Sequence, residues 1–159
     1  MKTKNWLVAA ILVLNIISVS AQDLFEKLAD NEHITSVFIS KGLINMFPSM
    51  ADKINVNANG IDVSKIMAKL EQIDIYTSDN KEAAQLIRTE AKKLQSQSKS
   101  YEVLMKVKDE GENVIFYAEK EKDRFKSLVM FVDGSDECTL IRLLGSFTAE
   151  DIKEISGGK

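Results

Sequence analysis

Two apolar runs near the C-terminus, Leu128 to Val132 and Leu140 to Leu144 broken only at Arg142, constrain this chain more than any other feature. Runs of that length, separated by the turn residues Asp133-Gly134-Ser135-Asp136, read as central strands covered on both faces. Upstream, Tyr101, Val103, Met105 and Val107 alternate with Glu102, Leu104, Lys106 and Lys108. After Asp109-Glu110-Gly111-Glu112 the alternation resumes at Val114, Phe116 and Ala118, which predicts a β-hairpin. With a charged turn from Glu121 to Arg124, the C-terminal third reads as a four-stranded antiparallel meander that Gly145 ends. Thr148 and Asp151 then form a capping-box pattern for a last helix, with Phe147 and Ile152 placed as its hydrophobic staple.

The N-terminal half has a different rhythm. Leu24, Phe25 and Leu28 predict a short amphipathic helix between Asp23 and Asn31. Val37-Phe38-Ile39 reads as a short buried strand, with Ser40 as the N-cap of a helix through Leu43, Ile44 and Phe47 that Pro48 ends or bends. Asn55 to Gly60 reads as a polar loop. Val63, Ile66, Met67 and Leu70 share one helical face, with Asp62 as cap, and a strand follows at Ile73 to Tyr76. Ala84, Ile87, Ala91 and Leu94 step by three and four and predict a long helix, with Asp79 and Glu82 as its capping box. The reading is one α+β domain: N-terminal βα units, a four-stranded antiparallel meander and a C-terminal helix, with helices packed on the sheet. Whether those helices cover both faces of the apolar strands, or a partner covers one, is left open by the sequence.

Residues 1–21 stand outside this domain. Lys2 and Lys4 precede the apolar stretch Trp6 to Ile17, and Val19-Ser20-Ala21 places small or apolar residues before Gln22, which is the pattern of a cleaved secretory leader. The stretch is shorter than the roughly 20 residues a membrane span needs. The expectation is a leader over 1–21, cleavage near Ala21, and a single exported domain over 22–159 with no stable membrane span after cleavage. Losing the two leader lysines moves the net charge from −3 to −5, which disfavours nucleic acid. The single cysteine, Cys138, is far from the cleavage point and rules out an intramolecular disulfide.

Few residues carry a chemical signature. His33 is the only histidine, so paired-His metal sites are excluded and any nucleophile–His pair must use it; beside Glu32, it reads as a surface residue. Cys138 reads as a small buried hydrophobe, with Asp136 and Glu137 opposing a thiolate. Asn55, Asn57, Asn59 and Gly60 mimic part of a calcium loop, but Ile66 stands where a bidentate Glu is required, so a turn on Asn59-Gly60 is the better account. The carboxylates at Asp109 to Glu112 and Asp133 to Glu137 read as solvated turns. No catalytic, cofactor-binding or metal-ligating residue is assigned, and no cofactor is expected.

The leader ending in Ala21-Gln22, the run Val37-Phe38-Ile39-Ser40-Lys41 before a helix, Tyr101 to Val107 with its Leu104-Met105 pair, and Gly145-Ser146-Phe147 ahead of Asp151-Ile152 give the chain its likeness. It resembles a family of small exported Bacteroidetes proteins known as a domain of unknown function. That family has no assigned activity, so the resemblance implies no catalytic residues. Many relatives bear a lipoprotein cysteine after the leader, which is absent here. The functional expectation is a periplasmic or secreted, non-enzymatic module of the cell envelope that binds an envelope protein or a second copy of itself. The alternative is a carrier of a small apolar or lipid-like ligand, in a pocket lined by residues such as Phe116, Met130 and Phe131. An enzyme would have to rest on carboxylates and hydroxyls, with His33.

Overall fold

The structure, a computed structural model, describes residues 21–46, 63–96 and 100–155. In chain order these form α1 (Ala21–Ala29), β1 (Thr35–Ser40), α2 (Lys41–Met46), a 3-10 helix (Val63–Lys69), β2 (Leu70–Ser78), α3 (Lys81–Ser96), β3 (Tyr101–Asp109), β4 (Glu112–Glu121), β5 (Arg124–Asp133), β6 (Cys138–Phe147) and α4 (Ala149–Ile155). The expected leader up to residue 20, Phe47 and Pro48, the expected Asn55 to Gly60 loop and Asp62 lie outside the described residues.

The fold is α+β, as expected, but the sheet has six antiparallel strands rather than four, in the order β1-β2-β6-β5-β4-β3. The meander β3 to β6 is present and forms one side of it. Strand β2 adds to the open edge of β6, which gives that apolar strand a neighbour on each side, and β1 adds to β2. The runs of β5 and β6 therefore sit in the middle of the sheet. Helices α1 and α3 pack on one face, around Leu24, Phe25, Leu28, Ile87 and Leu94. Helices α2 and α4 and the 3-10 helix cover the other, around Ile44, Ile66, Phe147 and Ile155. The chain thus covers both faces of the central strands itself. Each large side chain fully buried in this way contributes about 1.5–3 kcal/mol.

Local chemistry explains the element ends. Glu110 (φ 33°) and Gly111 (φ 92°) form the two-residue β3–β4 turn, where positive φ at both positions suits the twist of the strands. Lys122 (φ 57°) turns the β4–β5 hairpin. The capping box of α4 forms as expected: the Thr148 N–H donates to Asp151 Oδ2 at 2.7 Å and the Asp151 N–H to Thr148 Oγ1 at 3.2 Å. At α2 the Leu43 N–H reaches Ser40 Oγ at 3.5 Å.

Several local expectations are corrected. The cap of α3 is Asn80, not Asp79, because its Oδ1 accepts from both Glu82 and Ala83 N–H at 3.0 and 3.1 Å. Leu70 opens β2 instead of closing a helix. β3 does not keep one face throughout: Val103 pairs with Tyr117 and Met105 with Phe116, so a bulge at Leu104 turns Tyr101 and Val103 to the α1/α3 face and Val107 to the other. Val37 and Phe38 are exposed rather than buried, because β1 is an edge strand and only Ile39 of that strand enters the core.

Candidate functional site

The α1/α3 face is not covered evenly. Beyond α1 a trough of about 620 Å³ lies open along the sheet, with Phe25, Glu26 and Ala29 of α1 as one wall. Its floor and rim take residues from all six strands: Phe38, then Gln72, Asp74 and Tyr76, then Arg142 and Leu144, Lys126, Glu119 and Tyr101. The register explains why these meet. Phe38, Asp74 and Arg142 are direct cross-strand neighbours, as are Gln72, Leu144, Ser127, Glu119 and Tyr101. The longer row crosses five strands, and its four strand spacings make it about 19 Å long.

Asp74 is almost fully buried, and its carboxylate is saturated. Arg142 donates to Oδ2 from Nε at 2.7 Å and from Nη2 at 2.6 Å, and Gln72 Nε2 donates to the two oxygens at 2.8 and 3.0 Å. Such a buried pair needs this satisfaction to persist, since an unpaired charge there would cost several kcal/mol. The guanidinium carbon of Arg142 lies 3.8 Å from the centroid of the Phe25 ring, which in turn stacks on Tyr76 at 6.1 Å. Phe25 of the α1 wall thus bridges the floor residues Tyr76 and Arg142, and Arg142 carries the contact on to Asp74. At the far end the Tyr101 hydroxyl and Ser127 Oγ lie 2.9 Å apart, and Lys126 Nζ lies 3.1 Å from Glu119 Oε1.

Ionisation follows from burial. Tyr101 is pushed up to about 12 by burial, and Tyr76 is raised by burial and by the Asp74 charge, with Arg142 opposing. Both phenols stay protonated near neutral pH. The trough can offer hydrogen bonds, apolar contact and one exposed ring, Phe38, which is 65% exposed at its rim.

The residues singled out by sequence lie elsewhere. His33 sits exposed between α1 and β1, with its N–H bonded to Asn31 Oδ1 at 2.9 Å and its carbonyl accepting from Ser78 Oγ at 2.7 Å. Cys138 is fully buried at the start of β6, its thiol pushed up to about 12 by burial and by Asp133 and Glu137 against the lowering effect of Arg88. Asp133 receives Arg88 Nε at 2.6 Å, which ties the end of β5 to α3, and Glu137 accepts from Thr77. The expected pocket of Phe116, Met130 and Phe131 does not exist as a unit. Phe116 and Met130 face the α2/α4 side and Phe131 the α1/α3 side, because successive strand residues point to opposite faces. Among the described residues no group of three or more His, Cys, Asp and Glu is placed to hold a metal ion. The sequence reading missed the trough. Its one visible signal was Arg142, the single charge inside an apolar strand.

The family profile described as a domain of unknown function, DUF4252, matches residues 25–155. The chain belongs to this family. No curated protein matches it. Among solved structures it is similar to LppA, a candidate lipoprotein of Mycobacterium tuberculosis, at 14% identity and a TM-score of 0.31, with 89% of this chain and 79% of that chain covered. That likeness is too loose to bear on fold or function.

Proposed function

We propose that this chain is an exported binding module of the bacterial cell envelope, released from its leader near Ala21, which recognises a partner protein through the trough rather than transforming a substrate in it. The observation that carries the reading is the trough itself: six strands wide, mixed in polarity, with Phe38 exposed at its rim. Exposed aromatic anchors beside polar, hydrogen-bonding surface are characteristic of protein recognition. Arg142 with Asp74 and Lys126 with Glu119 neutralise each other, so the floor presents oriented polar groups without a strong net field. A hydrocarbon ligand gains little from such a floor, which sets the carrier alternative behind protein binding. The leader pattern supports export, and no helix among the described residues is long and apolar enough to cross a membrane.

A photo-crosslinking residue at Phe38, compared with one at Leu104 on the opposite edge of the sheet, tests this in intact cells. One predominant foreign protein captured from position 38 but not 104, and lost when Ala29→Arg fills the trough from the α1 wall, supports the reading. Equal capture from both edges, or indifference to Ala29→Arg, sinks it. Lipid co-purified with the protein in native mass spectrometry would put the carrier in its place.

A further inference from the structure

The two edges of the sheet are built differently. The β3 edge carries Glu102, Lys106, Lys108 and Asp109 and is broken by the bulge at Leu104, which are devices that stop another strand from docking. The β1 edge, Thr-Ser-Val-Phe-Ile-Ser, has no charge and pairs with β2 in unbroken register, and it exposes Val37 at 42% and Phe38 at 65%. Charges stand only at its flanks, with exposed Asp30 and Glu32 before the strand and exposed Lys41 after it. An antiparallel copy of the same strand would bring the acidic flank of one chain to the basic flank of the other, whereas a parallel copy would set like against like.

We infer that β1 is the seam of a two-fold dimer, in which the β1 strands of two copies pair antiparallel about Val37 and join the two sheets into one. Two-fold pairing in a continuous sheet requires facing residues to lie on the same sheet face, so the axis falls on a residue and not between two. An axis at Val37 sets Thr35 against Ile39 and Ser36 against Phe38, and it brings Lys41, just past the end of β1, toward the turn that holds Glu32 and His33 in the other copy. An axis at Phe38 would move Lys41 to Thr35 and lose that complementarity. The inference does not depend on what the trough binds.

Sedimentation velocity of the purified protein should show a concentration-dependent dimer. Under mild oxidation Val37→Cys should link two copies, since directly opposed antiparallel Cα atoms lie about 4.5–5.5 Å apart, within disulfide range. Phe38→Cys should link much more slowly, and Leu104→Cys on the other edge should not link; the native Cys138 is fully buried and does not interfere. Lys41→Glu and Glu32→Lys should each weaken the dimer about tenfold, and the two together should restore it. A monomer at sub-millimolar concentration overturns the proposal, as does a dimer insensitive to these charges or linked faster through position 38 than 37. Because all these positions are exposed, unchanged thermal melting of each variant separates loss of pairing from loss of fold.

Discussion

The two faces of one sheet are covered by unlike materials. On the α2/α4 face the cover is short, with a six-residue helix, a 3-10 helix and a seven-residue helix over a mainly aliphatic core. On the α1/α3 face a 16-residue helix and α1 lie over a core that also buries Asp74, Ser78, Glu90 and Ser127. Buried polar groups cost stability unless fully paired, so their concentration on one face marks the side where something other than packing is being specified. The other face, where Asp151 is buried as part of a helix cap, is built for cohesion.

The largest expected effect tests cohesion. Phe147→Ala empties a fully buried site between the sheet and α4 and should cost about 4 kcal/mol in urea unfolding. Gly145 belongs to the same tight region: a Cβ there would lie 2.3 Å from the Lys69 carbonyl oxygen and 2.7 Å from the Phe147 ring, so the chain crosses there without room for a side chain. On the opposite face Arg142→Ala should cost about 3 kcal/mol by leaving the Asp74 charge buried with only the neutral Gln72 amide beside it, while Arg142→Met combined with Asp74→Leu should return stability to within about 1 kcal/mol of the starting protein. If the double variant stays as unstable as the single one, the pair serves stability and the contrast between the faces fails.

Much of this was legible because strand and helix periods are local. The meander, the central position of β5 and β6, the Ala84 to Leu94 stripe and the Thr148 cap all follow from spacings of two to four residues. What was not legible depends on strand order and register. β1 shows one buried residue in six and gives no alternation, so its edge position had no signal. The trough joins residues from six strands that only the assembled sheet aligns. The bulge at Leu104 reverses a face without altering the written alternation. Arg142 was visible, but its partner Asp74, in a strand 60 and more residues earlier, was not.

Smaller effects sharpen the comparison at the helix starts. Asn80→Ala on one face and Thr148→Ala on the other should each cost about 1 kcal/mol, measured by thermal unfolding, whereas Asp79→Ala should be nearly silent. The smallest is a response to acid shared by both faces. Burial alone would raise Glu90, but Lys27 and Lys93 at 2.8 and 2.7 Å hold it below its ordinary value. Burial would likewise raise Asp151, but Lys69 and the Thr148 N–H and hydroxyl hold it down. A lowered carboxyl contributes stability that is fully present above its unfolded pKa, near 4, and is lost as the pH falls through the native value. Unfolding midpoints should therefore drop below about pH 4, and Glu90→Gln with Asp151→Asn should flatten that drop.

The place of β6 has a consequence for how the chain is made. The sheet order sets β1 and β2 on one side and β5, β4 and β3 on the other, and β6 is the strand that hydrogen-bonds to both. It is also the last of the described strands. Until Cys138 to Phe147 emerges, a growing chain holds two half-sheets with no ladder between them, and β2 offers Ile73, Ile75 and Tyr76 along an open edge. The second ladder of β2 thus waits for partners 60 to 75 residues downstream, a long-range closure of the kind that slows folding.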